Sequence, residues 1–158
     1  MNTDQIVRDH LLALLHGGSA YMTFDQAIIN FPMDRINERP PNVPYTLYHV
    51  LEHMRITQWD ILDYIRNPNY KEMEWPKDYW PAQDVTADQT AWEETIRQFK
   101  ADKDEIESIV KAPKTDLYAP IPHGYGGHTL LREVLVVADH NAYHTGEFGI
   151  LRQVMNAW

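Results

Sequence analysis

Apolar residues return every three or four positions along most of the chain, and this spacing predicts amphipathic helices. No stretch alternates apolar and polar residues over the length of a strand, so the pattern favours an all-α fold. The predicted helices span residues 2–17, 23–29, 46–67, 86–111 and 129 to nearly the C-terminus. Because no internal repeat or break in composition marks a second domain, residues 1–158 are expected to form one helical bundle domain.

The ends of the predicted helices carry capping signals. Thr23 and Thr86 each precede a glutamine by three residues, which is the spacing of a capping box, and Thr46 can cap the helix that follows it. The glycine pair that begins at Gly17 suits a helix C-terminus, and Pro68 prevents the third helix from continuing. These local signals fix the predicted boundaries.

Two of the connectors are long and rich in proline, residues 31–44 and 69–85. Connectors of this length usually carry function or cover a cavity. In the second one, Trp75, Tyr79 and Trp80 either wall a pocket or simply pin the connector to the helices, because aromatic side chains bury a large area in both cases.

Composition and charge narrow the classes of function. The chain has no cysteine, which excludes disulfides, thiolate metal ligands and a cysteine nucleophile. Its formal net charge is -9 and its basic residues are scattered singly, so we expect no binding to nucleic acid. The N-terminal segment is charged throughout, unlike a signal peptide, and no apolar stretch is long enough to span a bilayer. The composition therefore predicts a cytoplasmic protein without membrane contact.

Three histidines stand out as candidate metal ligands. His140 and His144 lie four residues apart within the apolar pattern of the last helix and therefore share one face of it. His53 lies on the flank of the apolar face of the third helix, whereas His49 falls further round that helix. Each imidazole could satisfy itself with a carbonyl or carboxylate in the core. Three of them converging from two helices favour a site for a divalent transition metal ion.

Glu147 lies three residues beyond His144 on the same stripe. It can act as a further ligand, as an acceptor that orients an imidazole, or as a general base, and the sequence does not separate these roles. The segment is not the HExxH motif of metalloproteases, since Asn141 follows His140. Three histidine ligands alone leave positions open for water or substrate, which is typical of a catalytic site.

Two segments carry a resemblance to a known family: LEHMRITQWDIL on the third predicted helix and HGYGGHTLLREVLVVADHNAYHTGE around the start of the last. Together they resemble the DinB/YfiT-like family of metalloenzymes. The resemblance covers nearly the whole chain and includes RPPNVP and EWPKDYWP in the connectors.

The resemblance implies an up-down-down-up four-helix bundle, often a homodimer. In that family nickel or zinc is held by three histidines, which match His53, His140 and His144 here. Family sequences commonly carry glutamine three residues after the last histidine, where this chain has Glu147. This difference changes the charge expected beside the metal.

The resemblance also implies a chemistry. Family members with an assigned activity include S-transferases and isomerases that use low-molecular-weight thiols, so we expect a transferase that joins a thiol to a small electrophile, with the metal keeping a thiolate available. Two alternatives stay open: metal-assisted hydrolysis with Glu147 as the base, and a non-catalytic bundle that binds a metal or another ligand.

Overall fold

The structure is a computed structural model, and it describes residues 2–158. The α-helices are α1 (Thr3–His16), α2 (Phe24–Ile28), α3 (Leu47–Arg66), α4 (Gln89–Lys111) and α5 (Leu130–Met155). A single turn of 3-10 helix, Met33–Arg35, interrupts the first long connector. Within residues 2–158 the only β-type pairing is an isolated bridge between Pro120 and Thr129. The all-α prediction is therefore confirmed.

Most helix ends follow the predicted capping signals. Thr23 forms a complete capping box with Gln26, and Thr46 and Thr129 each accept a hydrogen bond from a backbone N–H at the start of their helices. α4 is the exception, because Asp88 caps it through a 2.8 Å bond from the backbone N–H of Ala91. The capping box predicted at Thr86 is wrong.

The side chain of Asn37 explains the later start of α4. It donates to the carbonyl of Ala87 and accepts from the N–H of the same residue, both at 2.8 Å. These two bonds hold the backbone of Ala87 outside the helix. The first residue that is free to cap is therefore Asp88, whose carboxylate also favours the positive end of the helix dipole.

The longer helices pack around two apolar clusters. α3 packs against α4 and α5, α1 packs against the same two helices, and α2 lies on α5. One cluster contains the stacked rings of Phe31 and Trp92, whose centroids are 4.9 Å apart, and the other contains Leu11, Ile106 and apolar residues of α5. The contact between α3 and α5 positions the site described below.

The core also contains a short polar chain between helices. Gln58 donates to the backbone carbonyl of Phe99 at 2.6 Å and accepts from the amide of Asn141 at 2.9 Å. Because a carbonyl can only accept, the first bond fixes the orientation of the Gln58 amide, and the second then fixes that of Asn141. These two hydrogen bonds set the register between α3, α4 and α5 beside the histidines.

No helix within residues 2–158 has the length and apolar character needed to cross a membrane.

Candidate metal centre

The structure brings together the three histidines singled out from the sequence. One ring nitrogen from each of His53, His140 and His144 lies within 4.8 Å of the others. The two Nε2 atoms of His53 and His140 are 3.1 Å apart. His53 is 2% exposed and His144 is 7% exposed, while His140 is half-buried. The cluster therefore lies in the seam between α3 and α5, largely out of solvent.

The hydrogen bond on the far side of His53 fixes its tautomer. Its Nδ1 lies 2.8 Å from the backbone carbonyl of Tyr79. A carbonyl can only accept, so Nδ1 carries the proton and Nε2 carries a lone pair. That lone pair faces His140, which is the orientation required of a metal ligand.

His144 is oriented in the same way by a carboxylate. Its Nδ1 donates to Glu147 at 2.6 Å, and the other oxygen of Glu147 accepts a short hydrogen bond from the hydroxyl of Tyr45. The Nε2 atom of His144 is left free. Of the three roles open to Glu147, the observed contacts are those of an acceptor that orients an imidazole.

The cluster is electrostatically suited to neutral imidazoles. Burial lowers the pKa of His53 to about 4, although its bond to the Tyr79 carbonyl acts in the opposite direction. Burial and the neighbouring imidazoles lower the pKa of His140 to about 3. Both rings are therefore neutral at pH 7, the form that binds metal.

The carboxylate beside the cluster remains ionised. Burial by itself raises the pKa of Glu147, but the hydrogen bonds from His144 and Tyr45 outweigh it, so the pKa lies below its usual value. Conversely, burial and the bond to Glu147 raise the pKa of Tyr45 to about 12. The Tyr45 hydroxyl is therefore a permanent donor to the Glu147 carboxylate near neutral pH.

The connector after α3 covers the cluster. The indole of Trp80 stacks on the imidazole of His53 with centroids 3.8 Å apart and planes inclined by 8°. The ring of Tyr45 lies 5.2 Å from the same indole. Trp80 thus excludes water from one face of the His53 ring, while the Tyr79 carbonyl accepts a hydrogen bond from Nδ1 of that ring.

His49 is more buried than its helical position suggested. It is 2% exposed, as buried as His53, but it does not join the cluster. Its Nδ1 lies 2.6 Å from the hydroxyl of Thr46 and its Nε2 lies 3.1 Å from the carbonyl of Ala82. His49 therefore completes the cap of α3. It also anchors the connector after α3, which folds back over the first turn of that helix.

The two histidines before α5 also lie outside the cluster. His123 bonds the carbonyl of Tyr64 at 2.7 Å through Nε2, and the Nδ1 atom of His128 is 3.3 Å from a carboxylate oxygen of Glu133. His123 thus ties the turn before α5 to the end of α3, and His128 lies against the first turn of α5.

Sequence reasoning missed the groups that orient the imidazoles. Tyr45 directly precedes the cap of α3 and has no periodic signal, and the Tyr79 carbonyl is a backbone group that no side-chain pattern can reveal. The Tyr79 carbonyl reaches His53 because the connector after α3 returns over that helix, and Tyr45 reaches Glu147 because the residues just before α3 lie beside α5.

A sequence model of the DinB superfamily matches residues 7–148. The chain belongs to this superfamily. The match includes all three clustered histidines and Glu147. No curated protein and no solved structure matches this DinB-superfamily chain significantly.

The donor set fits a divalent transition metal ion. Nitrogen ligands lie about 2.0–2.1 Å from zinc, so ligands that share an ion are separated by roughly 3–4 Å. The nitrogens of His53 and His140, 3.1 Å apart, fall in this range, and all three nitrogens lie within 4.8 Å of one another. Two lone pairs are aimed by partners on the opposite ring nitrogens, the usual support of a metal-binding histidine. His53, His140 and His144 could therefore hold an ion.

Proposed function

We propose that this protein is a metal-dependent enzyme that transfers a low-molecular-weight thiol to a small electrophile. His53, His140 and His144 hold one divalent ion, nickel or zinc. The observation that carries this proposal is the approach of two Nε2 atoms to 3.1 Å, with the His53 lone pair fixed by Tyr79. Bound there, the ion would lower the pKa of a thiol and keep the thiolate nucleophile available at neutral pH.

The remaining side chains orient the donors and keep water out. Three neutral donors leave the charge of the ion uncompensated, which favours an anionic thiolate as an additional ligand. Glu147 and Tyr45 hold His144 in place, and Trp80 covers His53. Such fixed surroundings limit the reorganisation needed during reaction.

Metal-assisted hydrolysis is the second candidate, with Glu147 as the general base. Its carboxylate lies beside the cluster, which supports the role, but both of its oxygens already accept hydrogen bonds. A carboxylate with a lowered pKa is also a weaker base. These contacts favour transfer over hydrolysis.

Replacement of Glu147 by glutamine separates the two reactions. The amide oxygen can still accept from His144 Nδ1 while the amide nitrogen donates to Tyr45, so we expect metal content to persist and thiol transfer to stay within several-fold of wild type. Loss of a general base would instead lower hydrolysis by about 10²–10⁴-fold. Rates on thiol-plus-electrophile mixtures and on simple esters and amides measure both.

Glu147→Ala serves as the matched control, because it removes the acceptor altogether. We expect about 10–100-fold weaker metal binding from the loss of this support to His144. Transfer abolished in Glu147→Gln with its metal intact would contradict the orienting role. If chelation lowers the melting temperature of wild type while no mixture reacts, the protein is a non-catalytic metal-binding bundle.

We propose that the helices follow the up-down-down-up order, which is supported by the positions of neighbouring residues on adjacent helices. Glu52 bonds Thr95 and Arg66 bonds Glu105, so residue numbers rise together along α3 and α4, as in parallel helices. The opposite trend, typical of antiparallel helices, relates α1 to α4, since Arg8 bonds the carbonyl of Val110 while Leu15 and Phe99 line one cavity. It also relates α3 to α5, since His53 lies against His140 and Tyr64 lies against His128 just before α5.

A homodimer that forms through α5 is the assembly we propose. Leu135, Tyr143, Ile150 and Val154 form an apolar stripe on this helix, and Tyr143 is 70% exposed. Single exposed apolar residues are common, but several on one side of one helix are typical of an interface.

Light scattering of Ile150→Glu tests the dimer. Wild type should have twice the mass of one chain, and the variant should be a monomer, because a buried unpaired carboxylate opposes association. Ile29→Glu, at another exposed apolar position, should remain dimeric. A monomeric wild type would reject this assembly.

A further inference from the structure

A cavity of about 310 Å³ lies between α3, α5 and the connector that follows α3. Aromatic side chains from three parts of the chain line it: Tyr64 of α3, Tyr70, Trp75 and Tyr79 of the connector, and Tyr125 of the turn before α5. None of the clustered histidines lines it. The metal centre does not account for this cavity.

The aromatic rings meet at steep angles. The ring of Tyr64 is 5.1 Å from that of Tyr70 at 75° and 5.4 Å from that of Tyr125 at 57°, and Trp75 is 5.3 Å from Tyr79 at 56°. None of these three pairs is stacked face to face, and all five rings belong to residues that line the cavity. The negative face of an aromatic ring attracts cations.

The cavity also has an excess of negative charge. Asp60 is 6% exposed and accepts from the hydroxyls of Tyr70 at 3.0 Å and Tyr79 at 2.7 Å, and Glu72 lines the cavity beside it. Neither carboxylate has a basic ion-pair partner within residues 2–158.

The basic groups of the cavity are already paired. The guanidinium of Arg132 lies 2.5 Å from the buried carboxylate of Glu133, which also lies 3.3 Å from His128. Arg132 is thus compensated by Glu133, while Asp60 and Glu72 are not compensated by any lysine or arginine. An anionic ligand would meet net repulsion here, and a neutral one would leave the charge of these carboxylates unused.

We infer that this cavity binds a small organic cation that carries an ammonium group. Aromatic rings around a buried carboxylate are the surroundings that recognise such groups. The site is separate from the metal centre, since the ring of His53 presents Nδ1 to Tyr79 and Nε2 to His140. Thr57, one turn after His53, and Val136, one turn before His140, also line the cavity. The ligand would therefore lie next to the metal centre without touching the ion.

Calorimetric titration with choline chloride tests the inference. The control ligand is 3,3-dimethyl-1-butanol, which has the shape of choline with carbon in place of the charged nitrogen. We expect choline to bind at least about 10-fold more tightly, since only the cation gains the attraction of the aromatic faces and of the carboxylates. Equal affinities for both, or no saturable binding of choline, would overturn the inference.

Two variants locate the ligand. Trp75→Ala should weaken choline binding by about 3–10-fold, and it should leave the fold intact because Trp75 is 67% exposed. Asp60→Asn should weaken choline but not the neutral alcohol. Trp59→Ala is the matched control, since Trp59 belongs to α3 but does not line the cavity. Unchanged choline affinity in both Trp75→Ala and Asp60→Asn would overturn the assignment.

We expect choline binding not to depend on the metal ion. Choline affinity measured after treatment of wild type with a chelator should remain within about 3-fold, a shift below 1 kcal/mol. Loss of choline binding on chelation would mean that choline binds at the histidine cluster, and it would overturn the cavity assignment. If wild type takes up no divalent metal at all and still binds choline, the proposed enzyme is rejected and this site stands.

Discussion

His144→Ala protein, purified without a histidine tag, will carry far less than one divalent ion per chain. The substitution removes one of three donors, and it also removes the group that the Glu147 carboxylate orients. Loss of an outer partner alone weakens metal binding by about 10–100-fold, so loss of the ligand itself should cost more. Wild type should also melt at a higher temperature with added metal, whereas the variant should not respond, because a ligand stabilises only the protein that binds it.

Elemental analysis measures the metal content, and far-UV circular dichroism checks that the variant is folded. His10→Ala is the matched control, since His10 is an exposed histidine of α1 outside the cluster. It should retain the metal content of wild type. Stoichiometric metal in folded His144→Ala would mean that the ion, if any, lies elsewhere.

Arg152→Ala will destabilise the fold by about 3–5 kcal/mol, the largest effect we expect outside the metal centre. Arg152 is 1% exposed, and its guanidinium donates to the backbone carbonyls of Ala27, Ile29 and Ala157 at distances from 2.6 to 3.0 Å. It also lies 4.1 Å from the ring centroid of Trp158. Alanine would leave buried carbonyls without donors and a cavity where the side chain lay.

Urea denaturation followed by circular dichroism gives the free energy of unfolding. Arg152→Lys should recover only part of the loss, because an ammonium group cannot reproduce the planar fork of donors that reaches several carbonyls at once. Arg97→Ala should change the free energy by less than about 1 kcal/mol, since Arg97 forms an exposed ion pair with Glu94. A similarly small change for Arg152→Ala would show that water replaces the guanidinium at no cost.

The helices were predictable because their signals are local. The apolar stripe of α3, its cap at Thr46 and its end before Pro68 follow from residues only a few positions apart. The start of α4 was placed too early because the bond that decides it comes from Asn37, fifty residues away along the chain. Helical spacing also could not show that His49 is buried, since the covering group is Ala82 of a folded-back connector.

The identity of the clustered histidines could also be derived from the sequence. Their positions on two apolar helix faces, with the resemblance to the DinB family, were enough to choose His53, His140 and His144 from eight histidines. Sequence alone left three roles for Glu147. In the structure one oxygen of Glu147 accepts from His144 and the other accepts from Tyr45. These contacts are those of an acceptor that orients the imidazole.

The sequence by itself determined the all-α fold, most helix boundaries, the superfamily and the histidines that meet, because helix periodicity and capping depend on neighbours in the chain. Only the tertiary structure decided which nitrogen of His53 is free, what holds Glu147, and how aromatic residues of separate segments enclose a cavity beside Asp60. The physical reason is that tautomers, carboxylate partners and cavity walls depend on groups distant in sequence, and often on backbone carbonyls that every residue type carries.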